Sequence, residues 1–166
     1  MIPDEIEALA SRVLEQSRAQ GLKIGAAESC TGGLVSAALT AIPGSSDVVE
    51  GGVVTYSYPA KQSLLGVSGE LLAREGAVSE QVARAMAVGA LSTLGIDLSV
   101  AVTGVAGPGG GSAEKPVGLV HFATALKDGR TVHRAERFGD IGRGAVRLAS
   151  VKVALEMLAE RLADER

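Results

Sequence analysis

The chain has 166 residues, a formal net charge of −3 and a hydrophobic fraction of 46%, which fits a single globular domain over residues 1–166. Aromatic residues make up only 2%, so a base-stacking platform is not expected, and the acidic balance argues against a nucleic-acid partner. Because Cys30 is the only cysteine, an internal disulfide and a cysteine-rich zinc site are both excluded.

The start of the chain predicts its cellular location. Residues 1–5 are acidic and lack the basic and apolar regions of a signal peptide. No run of about 18 apolar residues is present to span a membrane. We therefore expect a cytoplasmic protein without a membrane partner.

Hydrophobic spacing predicts alternating helices and strands through the first 94 residues. The predicted elements are a helix at 3–20, a strand at 22–28, a helix at 31–41, a strand at 48–58, short helical pieces at 62–75, and a helix from Ser79 to Leu94. Within the second strand, the Gly51-Gly52 pair predicts a bulge or the close approach of another backbone.

The second half predicts three strands and one long helix. The elements are strands at 98–103, 117–126 and 131–138, a Gly-rich loop at 104–112, and a helix at 143–162. The last two strands form a hairpin across residues 127–130. This order predicts a three-layer α/β/α sandwich on a mixed, mostly parallel sheet with a late antiparallel hairpin.

A polar turn between the first strand and the second helix holds a carboxylate, three potential nucleophiles and two glycines. Its sequence is Glu28-Ser29-Cys30-Thr31-Gly32-Gly33. A helix start presents unpaired N–H groups that suit an anion, and ligands of open α/β sheets bind at the carboxyl ends of strands. The alternative is a structural turn in which Ser29 or Thr31 caps the helix.

The common catalytic and nucleotide-binding templates do not fit the sequence. The glycines after the strand at 98–103 lack the spacing of a dinucleotide fingerprint or a P-loop, and no Gly-x-Ser-x-Gly motif is present. His121 and His133 fall in the predicted hairpin, where we expect half-exposed strand residues and not a catalytic base. A nucleophile in this chain therefore needs a base other than histidine.

Lysine can act as such a base when burial lowers its pKa towards neutrality. Lys61 is the candidate because it follows the second strand and precedes an apolar pair, although a solvated surface cation is the alternative. If the strand ends meet at one cleft, Lys61 and Tyr56 reach the Ser29 hydroxyl. Thr103 and Gly104 end a third strand at the same edge, where backbone N–H groups can bind an oxyanion or a phosphate.

Two further features are consistent with anion binding. The length and glycine content of the loop at 104–112 suit a ligand loop, although a flexible connection explains them as well. Arg143 and Arg147 oppose the dipole at the start of the last helix, which is easier to understand if the arginine holds an anion or a carboxylate. A plain surface arginine is the alternative.

Five segments together resemble the CinA C-terminal domain family in its stand-alone, PncC-like form. They are residues 27–33, residues 52–57 with Lys61, and residues 76–79, 103–110 and 115–118. The resemblance runs from about residue 5 to residue 162. It implies hydrolysis of the carboxamide of nicotinamide mononucleotide to nicotinate mononucleotide and ammonia, which recycles the pyridine ring towards NAD. We expect neither a metal nor an organic cofactor.

The resemblance also assigns roles to single residues. It implies Ser29, Tyr56 and Lys61 as the catalytic group. The candidate substrate-binding residues are Glu28, Cys30, Thr31, Gly32, Gly33, Ser46, Thr103, Gly104 and Arg143. By residue type alone, Cys30 and Thr31 remain rival nucleophiles, and Ser29 is preferred on the family pattern.

The partners follow from the same resemblance. A small nucleotide is the expected ligand, and the apolar faces permit a homo-oligomer. The alternative function is a non-catalytic nucleotide-binding or regulatory module, as the family's association with competence and DNA damage suggests.

Overall fold

The computed structural model describes residues 1–164, in which five strands form one sheet with helices on both faces. The strands are β1 (Ile24–Glu28), β2 (Val49–Val54), β3 (Leu98–Gly104), β4 (Leu119–Leu126) and β5 (Thr131–Arg137). The helices are α1 (Asp4–Gln20), α2 (Leu34–Thr40), α3 (Tyr58–Leu65), α4 (Gly69–Glu75), α5 (Glu80–Leu94) and α6 (Arg143–Asp164). None of these helices combines the length and apolar character that a bilayer span requires. The predicted fold class is confirmed.

The sheet has the strand order β2-β1-β3-β4-β5. Strand β1 pairs in parallel with β2 and β3, whereas β3, β4 and β5 pair antiparallel. The register places Glu28 opposite Val54 on one side and Val102 on the other. The segments that follow the three parallel strands therefore leave the sheet at one edge.

Alternation along β1 divides its side chains between two cores. Ile24 and Ala26 belong to the core under α1, α2 and α6, whereas Ala27 belongs to the core under α3, α4 and α5. By the same alternation, Glu28 faces the first group of helices and Ser29 faces the second. This division decides which residues can reach the candidate site.

The strand predicted at 48–58 is shorter in the structure, because β2 ends at Val54 and Tyr58 is already helical. The Ser57 hydroxyl caps α3 by accepting a hydrogen bond from the N–H of Ala60 at 3.2 Å. Pro59 is in the first turn of the helix, where its fixed φ angle is favourable. Lys61 consequently projects from a helix.

Helix α2 also begins differently from the expectation, because its N-cap is Gly33 and neither Ser29 nor Thr31 caps it. The Glu28 carboxylate takes over this task. It accepts hydrogen bonds from the N–H groups of Gly33, Val35 and Ser36 and from the Ser36 hydroxyl, at 2.8–3.2 Å. A carboxylate in this position also complements the helix dipole.

The predicted irregularity at Gly51-Gly52 is confirmed. The β1–β2 register shifts between Ile24 and Gly25, so that Gly25 pairs with Gly51. A Cβ on Gly52 would lie 2.0 Å from the Ser36 hydroxyl oxygen, which shows how closely α2 approaches the strand. Glycine at this position lets Ser36 reach Glu28.

Gly89 sets the distance between α5 and α3, the helix that carries Lys61. A Cβ on Gly89 would lie 2.0 Å from the Leu65 carbonyl oxygen, so a side chain there displaces the backbone of α3. We expect Gly89→Ala to lower the free energy of unfolding by roughly 1–3 kcal/mol, because this clash outweighs the gain of about 1 kcal/mol in helix propensity. Urea denaturation measures the difference.

Gly144→Ala is the matched control, because a Cβ on Gly144 meets no atom within 4 Å. It should leave the stability unchanged or raise it. If both variants were as stable as the parent chain, the close packing of α3 on α5 would be contradicted.

Candidate active site

A cavity of about 270 Å³ opens at the edge where the three parallel strands end. Its wall consists of the turn after β1, the segment after β2 with α3, residues 77–78, and the loop after β3. Arg143, the first residue of α6, completes the wall. The edge predicted from the strand order is therefore where this cavity lies.

Ser29 and Lys61 are in direct contact inside this cavity. The N–H of Ser29 donates to the Val102 carbonyl of β3 at 2.9 Å, which fixes the serine at the sheet edge. Lys61 Nζ lies 2.8 Å from Ser29 Oγ and 2.6 Å from the Thr55 carbonyl oxygen. The Lys61 residue is only 1% exposed, so it is not the solvated surface cation considered as the alternative.

The environment of Lys61 favours the uncharged amine. Burial lowers the pKa of Lys61 from 10.5 to about 8, and no carboxylate within residues 1–164 forms an ion pair with it. The Thr55 carbonyl can only accept, so the amine donates one hydrogen there. In the neutral form, its lone pair is then available for the proton of the Ser29 hydroxyl. This arrangement allows a proton to pass from the Ser29 hydroxyl to the neutral amine.

The two rival nucleophiles have no comparable partner. Cys30 lines the cavity but is 5% exposed, and burial raises the pKa of its thiol to about 11, so the reactive thiolate is scarce at neutral pH. Thr31 is fully buried behind the cavity wall, and its hydroxyl has no hydrogen-bond partner. Of the three candidates, only Ser29 contacts a base.

Tyr56 lies at the mouth of the cavity and is 61% exposed. Its hydroxyl accepts a hydrogen bond from Arg143 Nη2 at 2.8 Å, and Nη1 of the same arginine donates to the Gly107 carbonyl at 2.7 Å. Within the described part of the chain, no hydrogen bond joins Tyr56 to Ser29 or Lys61. The Tyr56 phenol therefore does not hydrogen-bond Ser29 as expected. Directly after β2, Thr55 is buried, whereas the next residue, Tyr56, faces solvent.

Thr103 and Gly104 line the cavity as predicted, and the structure shows what each contributes. The Thr103 hydroxyl donates to the Ala77 carbonyl at 2.8 Å and thereby holds the opposite wall. A Cβ on Gly104 would lie 2.7–2.9 Å from atoms of residues 119 and 120, so this position does not accommodate a side chain.

The glycine loop after β3 supplies unused donors. Gly107, Gly109 and Gly110 line the cavity. Within residues 1–164, the N–H groups of these three glycines donate to no backbone acceptor. Together with the Arg143 guanidinium, they form a positively polarised rim that suits an anion.

Five of the expected substrate-binding residues do not line the cavity. Glu28 faces α2, and the turn residues Thr31, Gly32 and Gly33 lie behind Ser29. Ser46 is exposed in the single helical turn Ser45–Asp47, which precedes β2 and therefore lies at the opposite edge of the sheet. Neither proximity to Ser29 in sequence nor residue type therefore brings these five residues to the cavity surface.

Sequence reasoning missed the Thr55 carbonyl, which binds Lys61. It noted residues 77–78 only as part of a family segment, and they form a wall of the cavity. It expected an arginine at the start of α6 to hold an anion or a carboxylate, whereas Arg147 donates to the carbonyl groups of Cys30 and Thr31. A main-chain carbonyl leaves no signal in the residue type. Arg147 gives a weak signal as a cation near a helix start, where the dipole disfavours it.

The histidines occupy the positions expected of strand residues. His121 on β4 and His133 on β5 are partly buried, with Nδ1 of the first 2.9 Å from Nε2 of the second. Burial lowers the pKa of His121 to about 4, and neither ring lines the cavity. Across residues 1–164, no three His, Cys, Asp or Glu side chains are grouped so that they could hold a metal ion.

Comparison with known proteins identifies relatives over nearly the whole chain. Residues 6–162 match the model of the CinA C-terminal domain. A CinA-like protein of Parasynechococcus marenigrum is 56% identical over 157 residues, which cover 94% of this chain and 37% of that protein. A CinA-like protein of Mycobacterium marinum is 48% identical over 160 residues, covering 96% and 36%. The chain thus spans little more than a third of the length of these relatives.

Solved structures agree with this relationship. The competence/damage inducible protein CihA from Agrobacterium tumefaciens is 54% identical with a TM-score of 0.95, and 98% of each chain is covered. A competence-damaged protein (CinA) superfamily protein from Klebsiella pneumoniae is 38% identical with a TM-score of 0.91, covering 96% of this chain and 98% of that one. The chain belongs to the CinA C-terminal domain family.

Proposed function

We propose that the chain is an amidohydrolase that converts nicotinamide mononucleotide and water to nicotinate mononucleotide and ammonia. The family resemblance suggests the substrate. The observation that carries the chemistry is the 2.8 Å contact between Nζ of the buried Lys61 and Oγ of Ser29. A serine paired with an amine that loses its charge near neutrality is suited to acyl transfer without histidine.

The reaction begins when the neutral Lys61 amine takes the Ser29 proton and Oγ attacks the amide carbon. Backbone N–H groups hold the oxyanion, and that of Cys30 is a candidate because it donates to no backbone acceptor in the described range. The lysine ammonium then protonates the amide nitrogen, and the carbon–nitrogen bond breaks. Ammonia departs, and the acyl group remains on Ser29 as an ester. Lys61 next activates a water molecule, which hydrolyses the ester and restores Ser29.

The lining of the cavity supports an anionic substrate with a ring. Within residues 1–164, no carboxylate lines it, and its basic side chains are those of Lys61 and Arg143. The Arg143 guanidinium, the N-terminus of α6 and the N–H groups of the glycine loop suit the phosphate. Ala77, Val78 and Val105 provide an apolar surface for the pyridine ring.

Replacing the nucleophile separates the candidate residues. We expect Ser29→Ala to abolish ammonia release from nicotinamide mononucleotide, because Lys61 then has no hydroxyl to deprotonate. Cys30→Ala should keep most of the activity, because the Cys30 thiol has a raised pKa and no base. An enzymatic ammonia assay measures both variants.

The reverse result, with Cys30→Ala inactive and Ser29→Ala active, would reject the assignment of Ser29. If the parent chain releases no ammonia but nicotinamide mononucleotide raises its melting temperature, the non-catalytic binding module is supported instead.

The activity should rise with pH as Lys61 loses its proton. Because burial lowers the pKa of Lys61 to about 8, kcat/KM should increase roughly tenfold per pH unit below pH 8 and level off above it. Initial rates between pH 6 and about 10 test this expectation. A flat profile across pH 8 would contradict Lys61 as the base.

Lys61→Met provides an independent measure of the same ionisation. Between pH 8 and 10.5, an unfolded Lys61 binds a proton that the folded state lacks, so the stability of the parent chain rises with pH in this window. The variant has no such dependence. Any stability advantage of Lys61→Met at pH 7 should therefore shrink as the pH rises, and a constant difference would mean that the amine is not desolvated.

Tyr56→Phe tests whether the phenol relays protons. Its hydroxyl bonds Arg143 and not the Ser29–Lys61 pair, so we expect kcat to stay within about threefold and KM to rise a few-fold, the effect of losing one hydrogen bond of about 1 kcal/mol. Steady-state kinetics measure both constants. A loss of kcat of a hundredfold or more would show that Tyr56 acts in proton transfer.

A further inference from the structure

We propose that Arg147, on α6, is a positioning residue that fixes the peptide groups directly after the nucleophile. Its Nε donates to the Cys30 carbonyl oxygen at 3.1 Å, and its Nη2 donates to the Thr31 carbonyl oxygen at 3.2 Å. Arg147 does not line the cavity, so it acts on the site through the turn. This inference rests on the proposed amidase function and adds a residue outside the Ser29–Lys61 pair.

The turn depends on this contact because its own restraints are few. Gly32 and Gly33 have φ angles of +57° and +106°, and glycine resists backbone rotation less than any other residue. Backbone hydrogen bonds within the turn run from the N–H of Gly32 to Ser29 and from that of Leu34 to Thr31. In the part of the chain that the structure describes, the Cys30 carbonyl has no donor besides Arg147.

Because the peptide bond is planar, the contact between Arg147 and the Cys30 carbonyl also sets the direction of the Thr31 N–H group. In a trans peptide, the N–H of Thr31 points away from the Cys30 carbonyl. Because Arg147 holds that carbonyl towards α6, the Thr31 N–H is turned away from α6. Across residues 1–164, the N–H groups of Cys30 and Thr31 donate to no backbone acceptor. They are the two unused donors of the turn that carries Ser29, as a developing oxyanion requires.

Gly32 and Arg147 are fitted to each other. A Cβ on Gly32 would lie 3.1 Å from Arg147 Nη2, so glycine permits the guanidinium to approach the two carbonyls. No carboxylate among the described residues pairs with Arg147, and its positive charge is shared with backbone carbonyls alone. Burial raises the pKa of the Cys30 thiol, and the positive charge of Arg147 acts in the opposite direction by lowering it. The Arg147 charge therefore acts on the turn.

Arg147→Met and Arg147→Lys test the proposal in the full chain, with ammonia release from nicotinamide mononucleotide as the readout. We expect Arg147→Met to lower kcat about a hundredfold, the effect of losing one oxyanion donor, with KM unchanged within about twofold. Arg147→Lys should recover little, because an ammonium group cannot hold two carbonyls as a planar fork does. Arg134→Met is the matched control, since it removes a partly buried arginine that pairs with Glu160 away from the cavity, and it should leave kcat unchanged.

A kcat within about threefold of the parent value, or a loss confined to KM, would overturn the proposal. If Arg147→Met melts below the assay temperature, Arg147→Lys decides by the same criterion. A parent chain that releases no ammonia would refute the proposed function and not this inference. The rate at which a fluorophosphonate labels Ser29 then decides, with Ser29→Ala as the blank, and equal rates in the parent chain and Arg147→Lys would overturn the positioning role.

Discussion

The Lys61 amine lies between the Thr55 carbonyl and the Ser29 hydroxyl without a counter-ion, and the chemistry of the site depends on this burial. Lowering the lysine pKa from 10.5 to about 8 corresponds to about 3 kcal/mol of destabilisation of the protonated form. The apolar contacts of α3 must offset this cost. Leu65, one turn beyond the lysine, belongs to the core that α5 shares with the sheet, and Gly89 lets the two helices approach closely.

The site also requires that no carboxylate lies next to the Lys61 amine. Glu28 precedes Ser29 and is fully buried, and an ion pair with Lys61 would raise the lysine pKa and remove the base. Strand alternation prevents this contact, because Glu28 faces α2 while Ser29 faces α3. Four hydrogen bonds from the start of α2 then satisfy the carboxylate. The Glu28 carboxylate and the Lys61 amine are thus both buried but lie on opposite faces of one strand end, and they form no ion pair with each other.

This division also explains how far the sequence could predict the site. Parallel strands separated by helices imply that their carboxyl ends converge. Lys61 is then the candidate base, and the family pattern selects Ser29 from the three potential nucleophiles of the turn. The family resemblance implied a pocket role for Glu28, whereas strand alternation turns its side chain towards α2 and away from the cavity. The end of β2 was wrong because Ser57 and Pro59 begin a helix, a local signal that the apolar run obscured.

Other features lie beyond any local pattern. The burial of Lys61 depends on how α3 packs against α5, and Arg147 meets the nucleophile turn across 116 and 117 residues of chain. Neither contact leaves a periodicity or a motif in the sequence. Ser46 shows the converse, because it was a candidate substrate-binding residue and the fold places it before β2, at the far edge of the sheet.

The turn that carries Ser29 is held from three directions, and its glycines explain why this is necessary. The Val102 carbonyl of β3 accepts a hydrogen bond from the Ser29 N–H, and the Glu28 carboxylate binds the start of α2. Arg147 of α6 donates to the carbonyls of residues 30 and 31. Gly32 and Gly33 allow these groups to approach but provide little stiffness of their own. The position of Ser29 therefore depends on the packing of the whole domain. Helices and strands that are distant in sequence must pack together before the six-residue turn at 28–33 adopts a single geometry.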